Sequence, residues 1–143
     1  MAVELTANAL QTVSAGQNVL FTDTAVPCSK GYVVHREGAG IITLRGMTSN
    51  CFARYRVTFY GNIALPTGGT AGPIGVALSV NGEAVPTTTA TITAPAGTFE
   101  NVSTGFILDV PRGCCYTVAV KNVTDPPGPI EVTNANIMID RIA

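Results

Sequence analysis

Between Asn50 and Leu65 the chain reads NCFARYRVTFYGNIAL, its longest uninterrupted run of strand formers, with no proline until Pro66. The Tyr, Phe, Val and Thr content predicts a strand that sits inside a sheet. Side chains alternate along a strand, so Cys51, Ala53, Tyr55, Val57, Phe59 and Ile63 fall on one face, and Phe52, Arg54, Arg56, Thr58, Tyr60 and Asn62 on the other. The first face reads as core, with Tyr55, Val57 and Phe59 at its centre. The second mixes aromatic, basic and hydroxylated groups, which suits neither a dry interior nor open solvent and does suit contact with another protein surface.

The same short alternating runs, cut by turn residues, recur along the chain. Leu5 to Val13 alternates weakly and is the one place where a helical period competes; Ser14 to Gly16 breaks it, and Asn18 to Thr22 predicts a small strand. Val26, Pro27 and Cys28 lead through Ser29 to Gly31 into Tyr32 to Arg36, and the Gly38 to Gly40 turn brings the chain back through Ile41 to Leu44 as a hairpin. Pro66 to Pro73 is a loop that spans from one sheet to the other. Ile74 to Val80 follows, and Asn81 with Gly82 is a hairpin signal. Beyond a threonine-rich stretch and a break at Pro95 to Gly97, Thr98 to Leu108 and Tyr116 to Asn122 predict strands separated by Asp109 to Gly113. The loop Asp125 to Pro129 precedes two closing strands, Ile130 to Thr133 and Ala135 to Ala143, with Ile137 and Ile139 facing inward.

About ten short strands with turn signals roughly every 8 to 12 residues predict an all-β, two-sheet antiparallel sandwich, and crossing loops favour a jelly roll over a meander. At 143 residues the chain is expected to form one domain over 1–143. Such a domain buries roughly two thirds of the surface of its unfolded chain. Charged residues are only 12% against 46% apolar. That leaves few groups to solvate a monomer, so apolar surface covered by a partner is expected. The net charge of −1 and the lack of a Lys/Arg cluster argue against nucleic acid and anionic membrane as partners. The N-terminal MAVELTANALQTV has neither the basic start nor the apolar run of a secretory signal, which predicts synthesis in the cytoplasm.

Candidate chemistry is sparse. His35, in YVVHREG, has no neighbouring nucleophile and reads as a partly exposed strand histidine. Cys28, Cys51, Cys114 and Cys115 have no CxxC spacing and read as free buried thiols in preference to disulfides, with one of the vicinal pair in the core and the other at a rim. The nine acidic residues are scattered without a calcium-loop arrangement, no Walker, GxSxG or HExxH pattern occurs, and GGTAGPIG opens into a strand instead of a helix. The expectation is therefore no enzyme, no cofactor and no metal. Asn101 and Asn122 stand in glycosylation sequons that matter only in a secreted eukaryotic setting.

The paired segments in LQTVSAGQNVLF, the central strand running into GNIALPTGGTAG, then VALSVNGEAVP, FILDVPRGCCYTVAV and the closing NANIMIDRIA cover nearly the whole chain. In this layout the chain resembles the tumour necrosis factor and complement globular-head superfamily, most of all the tip domain of bacterial collagen-like spore-surface proteins, although it has no Gly-X-Y stalk. The resemblance implies a ten-stranded, tumour necrosis factor-like jelly roll assembled as a homotrimer, with the sheet holding the central and terminal strands turned toward the threefold axis. Stalkless domains of this kind are similar to small phage structural proteins. The leading expectation is thus a non-enzymatic virion-surface protein, a capsid decoration or head fibre whose partners are itself and other virion or surface proteins. The alternatives are a spore-surface tip or a trimeric adhesin whose loops, at Thr67, Asn81 and Asp125, meet a host glycan or receptor. Phe52, Arg54, Arg56, Tyr60 and Asp140 are the expected trimer contacts. Three copies of each arginine at an axis need carboxylates such as Asp140 or Glu131, because a buried charge left alone costs ~3 to 5 kcal/mol.

Overall fold

A computed structural model describes residues 2–28 and 30–143. In chain order the strands are β1 (Ala2–Ala7), β2 (Gln11–Val13), β3 (Asp23–Val26), β4 (Val33–His35), β5 (Ile42–Arg45), β6 (Phe52–Ala64), β7 (Ile74–Val80), β8 (Glu83–Ala84), β9 (Ala90–Ile92), β10 (Glu100–Pro111), β11 (Cys115–Asn122) and β12 (Ile130–Arg141), with one 3₁₀ turn at Pro86–Thr88. They form two six-stranded antiparallel sheets. The first runs β10-β6-β12-β1-β3 with β2 also on β12; the second runs β4-β5-β11-β7-β8 with β9 also on β7. The all-β, two-sheet jelly roll expected from the alternation is the observed architecture.

The core lies between the sheets and is built by the inward half of each alternation. Tyr55, Val57, Phe59, Ile137 and Ile139 are all at most 1% exposed. Each such side chain contributes ~1.5 to 3 kcal/mol on burial. Phe21 meets Phe59 edge to face, with ring centroids 6.5 Å apart. The Tyr55 hydroxyl is not stranded in this apolar setting: it donates to the Arg45 carbonyl at 2.5 Å, with the Tyr32 carbonyl at 3.3 Å. Burial pushes the Tyr55 phenol above its usual value.

Several expected turns occupy their places. The β4–β5 hairpin is present, though Ser29, part of its expected lead-in, lies outside the described residues. The loop after β6 carries the chain from the first sheet to the second. The β7–β8 hairpin turns on Asn81 and Gly82, both at positive φ (52° and 89°).

Other boundaries differ for identifiable reasons. Ala2–Ala7 and Gln11–Val13 are strand, not helix, because β1 pairs along its whole length with β12 and β2 pairs with the same strand. Asn18 to Thr22 is not a regular strand: it makes one bridge, Asn18 to Lys121, and otherwise serves to drop Val19 and Phe21, both fully buried, into the core. Asp109 to Pro111 continues β10 because the long β6 offers Arg54, Ala53 and Phe52 as ladder partners. The two closing strands are one, β12, bent by a register shift between Thr133 and Asn136 that puts Asn134 at φ 53°. The thiols also differ from expectation. All four cysteines are free, but none is buried: Cys28 is half-buried and Cys51, Cys114 and Cys115 are exposed. Cys51 precedes the start of β6, so the alternation that would bury it has not begun.

Candidate functional site

The outward half of the alternation in the first sheet makes a continuous face. Across it, register aligns Ile107, Arg56, Asp140 and Ala2 in one row, Gly105, Thr58, Met138 and Glu4 in the next, and Ser103, Tyr60, Asn136 and Thr6 in a third. Ile107 is 59% exposed, Tyr60 40% and Met138 36%; Phe52 and, on β3, Val26 are exposed as well. No other element of the chain pairs with or covers these rows among the described residues. The structure therefore brings Phe52, Arg54, Arg56, Tyr60 and Asp140 onto one surface, and adds Ile107 and Met138.

The two arginines differ. Arg54 forms a bidentate pair with Asp109 of its own chain, Nε to Oδ1 at 2.7 Å and Nη2 to Oδ2 at 3.0 Å, and lies 5.0 Å from the centre of the Phe52 ring. The hydrogen bonds to Asp109 raise the Arg54 pKa, and those same bonds hold the Asp109 carboxyl below its usual value. Within the chain, Asp109 is thus a carboxylate partner of Arg54. Glu131 pairs in register with Ala64, at the far end of β6 from Arg54. Arg56 is exposed and has Asp140 directly beside it in the ladder.

At the other end of this face the polarity changes. Asn101 donates to Asn62 at 3.2 Å, Asn62 to Asn134 at 3.2 Å, and Asn134 to Asn8 at 2.5 Å, a chain of four amides crossing β10, β6 and β12. The period-2 pattern of β6 placed Asn62 on this face; its partners come from strand pairing that no local pattern encodes.

The amide ladder adjoins a second feature. The loops 66–73 and 124–129 converge on a cleft of about 410 Å³ walled by Pro66, Pro73, Pro126, Pro127 and Pro129 and floored by Leu65 and Ile74. The third loop joins them through Gly97 N–H, which donates to the Leu65 carbonyl at 2.7 Å. Thr67 and Asp125 are exposed at this end, whereas Asn81 lies at the opposite end of β7, where its side-chain oxygen accepts from Thr117 N–H at 2.9 Å. A buried residue pins the cleft. Asn122, 2% exposed, donates to the carbonyls of Val13 (3.0 Å) and Gly128 (2.9 Å) and accepts from Thr124 N–H (3.0 Å). Its side chain is inside the protein, which closes the sequon reading at that position.

His35 is half-buried, and its Nε2 lies 2.8 Å from the Ala39 carbonyl. Among the described residues no group of three or more His, Cys, Asp or Glu is arranged to hold a metal, and no helix is long and apolar enough to cross a membrane.

No protein-family model matches the chain, and no curated protein sequence matches it. Solved structures do. The globular domain of zebrafish complement 1qA is 15% identical over 99% of this chain and 97% of its own, with a TM-score of 0.67. Eiger TNF from S. frugiperda is 13% identical over 100% and 92%, with a TM-score of 0.72. Murine APRIL is 10% identical over 99% and 98%, with a TM-score of 0.62. At these identities the likeness establishes the fold: a jelly roll shared with tumour necrosis factor and complement globular domains.

Proposed function

We propose that the protein is a non-enzymatic structural protein that assembles as a homotrimer through the outer face of the first sheet. The observation that carries this reading is the set of exposed apolar side chains, Ile107 on β10, Met138 on β12 and Tyr60 and Phe52 on β6, on the outer face of a sheet whose inner face is already fully used. A monomer of low charge density rarely leaves such a patch bare. The neighbouring Arg56 and Asp140 carry opposite charges, so three copies brought to one axis bring their own neutralising groups. The shared fold supports the reading, and so does the resemblance to trimeric jelly rolls. The same resemblance favours the surface of a particle as the setting, a phage capsid decoration or head fibre ahead of a spore tip.

Size-exclusion chromatography with light scattering tests the assembly. The protein is expected to run at three times its 14.7 kDa chain mass. Ile107→Glu with Met138→Glu is expected to give a folded monomer, since each side chain loses ~1.5 to 3 kcal/mol of burial in the assembly and little in the monomer. A wild-type monomer, or a variant of unchanged size, sinks the proposal.

The converging loops favour a second role within the same assembly: the proline-walled cleft is where a host glycan or receptor would be met. Binding on a glycan array that disappears when loop 66–73 is replaced by a Gly/Ser linker separates an adhesin from a purely structural trimer.

A further inference from the structure

Three of the four cysteines gather in one knob at the end of the sandwich opposite the cleft. Residues 46–51, before β6, and the turn 111–114, after β10, are zipped together by backbone bonds. Gly46 N–H donates to Cys114 at 2.8 Å, Gly113 N–H to Gly46 at 3.0 Å, and Arg112 N–H to Cys51 at 2.9 Å. Cys51, Cys114 and Cys115 are all free and exposed on it. Free cysteine is among the most buried residue types, so two exposed thiols on joined loops and a third on the adjoining first residue of β11 ask for a chemical reason.

The surroundings point to one. Within 45–52 and 111–116 the charged side chains are Arg45 and Arg112 alone. Arg45 stands directly opposite Cys115 in the β5–β11 ladder, and Arg112, whose Nη1 donates to the Ser49 carbonyl at 3.2 Å, follows the backbone bond to Cys51. The nearest carboxylate in sequence, Asp109, is engaged by Arg54. A chain with a net charge of −1 therefore carries a locally cationic, thiol-bearing knob.

We propose that this knob is a thiol–disulfide exchange site for anionic disulfides of low molecular weight, with oxidised glutathione as the representative. A protein thiol releases its proton to solvent and its sulfur attacks one sulfur of the incoming disulfide. The incoming S–S bond breaks as a new one forms, and the departing half leaves with the electron pair and takes up a proton. The protein sulfur is oxidised, the departing sulfur is reduced, and no further oxidant is consumed. Arg45 and Arg112 raise the local concentration of the carboxylate-bearing disulfide. Cys28, half-buried and packed against the core, lies outside the knob.

The test is an intact-mass time course at low ionic strength with oxidised glutathione or with cystamine, a dicationic disulfide. Each rate is divided by that of the same protein unfolded in urea, so that intrinsic reactivity cancels. The normalised rate with oxidised glutathione is expected to exceed that with cystamine by on the order of threefold to tenfold. The ratio should fall toward one in about 0.5 M salt, where the Debye length shrinks to a few ångströms. Arg45→Gln with Arg112→Gln, both exposed side chains, removes the preference at low salt, and Cys28→Ser leaves it intact. Peptide mapping is expected to place the adduct on Cys51, Cys114 or Cys115. A ratio near one in the wild type, a ratio insensitive to salt, or an adduct confined to Cys28 overturns the assignment.

Discussion

Replacing Asn122 tests the loop end of the molecule most directly, because one buried amide holds three segments there. Asn122→Ala removes two donated bonds of 2.9 and 3.0 Å to Gly128 and Val13 and the bond accepted from Thr124 N–H; a longer contact of 3.4 Å to Ser14 goes as well. Each lost bond is worth ~0.5 to 1.5 kcal/mol net, and polar groups left buried without partners add to that. The expected loss is about 2 to 4 kcal/mol, against a total of ~5 to 15 kcal/mol for a domain, so the variant still folds. At about 3 °C per kcal/mol for a chain of this length, the melting temperature falls by roughly 6 to 12 °C. Scans at equal protein concentration keep assembly from contributing to the difference. Asn122→Asp sharpens the test. It keeps the shape but aims a carboxylate oxygen at two carbonyls, so the folded pKa of the new side chain is raised above its unfolded value of ~3.9. A raised carboxyl pKa means stability is lost as pH rises from the unfolded value toward the folded one. The gap to wild type should therefore be larger at pH 7 than at pH 4, by about 1.4 kcal/mol per unit of elevation. A loss under about 1 kcal/mol for Asn122→Ala, or an equal gap at the two pH values for Asn122→Asp, refutes the role given to this residue.

Two further outcomes follow from the packing. Tyr55→Phe removes the hydroxyl that donates to Arg45 and is expected to cost ~1 to 3 kcal/mol in urea denaturation. Because burial raises the Tyr55 pKa, its contribution is complete below the unfolded value of ~10 and fades as pH rises toward the folded one, so the wild type should show an alkaline loss of stability that the variant lacks. A Cβ on Gly46 would stand 2.0 Å from the Pro111 carbonyl oxygen, so Gly46→Ala must push the two knob loops apart. The expected fall in melting temperature is roughly 3 to 9 °C, and an unchanged value contradicts the close approach.

Much of this molecule was legible as alternation. The Asn50 to Leu65 run identified Tyr55, Val57 and Phe59 as core and Phe52, Arg56 and Tyr60 as a separate outward face, because a long strand in a two-layer fold has to obey period two along its whole length. Asn81 and Gly82 were legible because positive φ selects those residues. What remained hidden depends on partners distant in the chain. The carboxylate of Arg54 is Asp109, 55 residues away, brought beside it only by the β6–β10 register. The core roles of Val19 and Phe21 arise in a segment with almost no ladder of its own, where burial follows from what lies beneath and not from local period. The thiols were misplaced because cysteine composition speaks for burial, while Cys51, Cys114 and Cys115 all occupy loops or a strand start. The cleft could be expected only as three separate proline and glycine breaks, and their meeting rests on the ends of β6, β10 and β12 sharing one edge of the sandwich.

The pairing of β1 with β12, Ala2 opposite Asp140 and Ala7 opposite Ala135, sets a timetable for synthesis. A chain leaving the ribosome makes β1 before β12 and must hold it with one flank unpaired until residues 135–140 have been made. β6 waits as well, since one of its two flanks belongs to β12. Contacts so far apart in the chain slow folding, and unpaired edges in the interval are templates for association with other chains. A product halted before Ile130 would leave both β1 and β6 with bare hydrogen-bonding edges, so completion of β12 is the step that turns an adhesive chain into one continuous sheet.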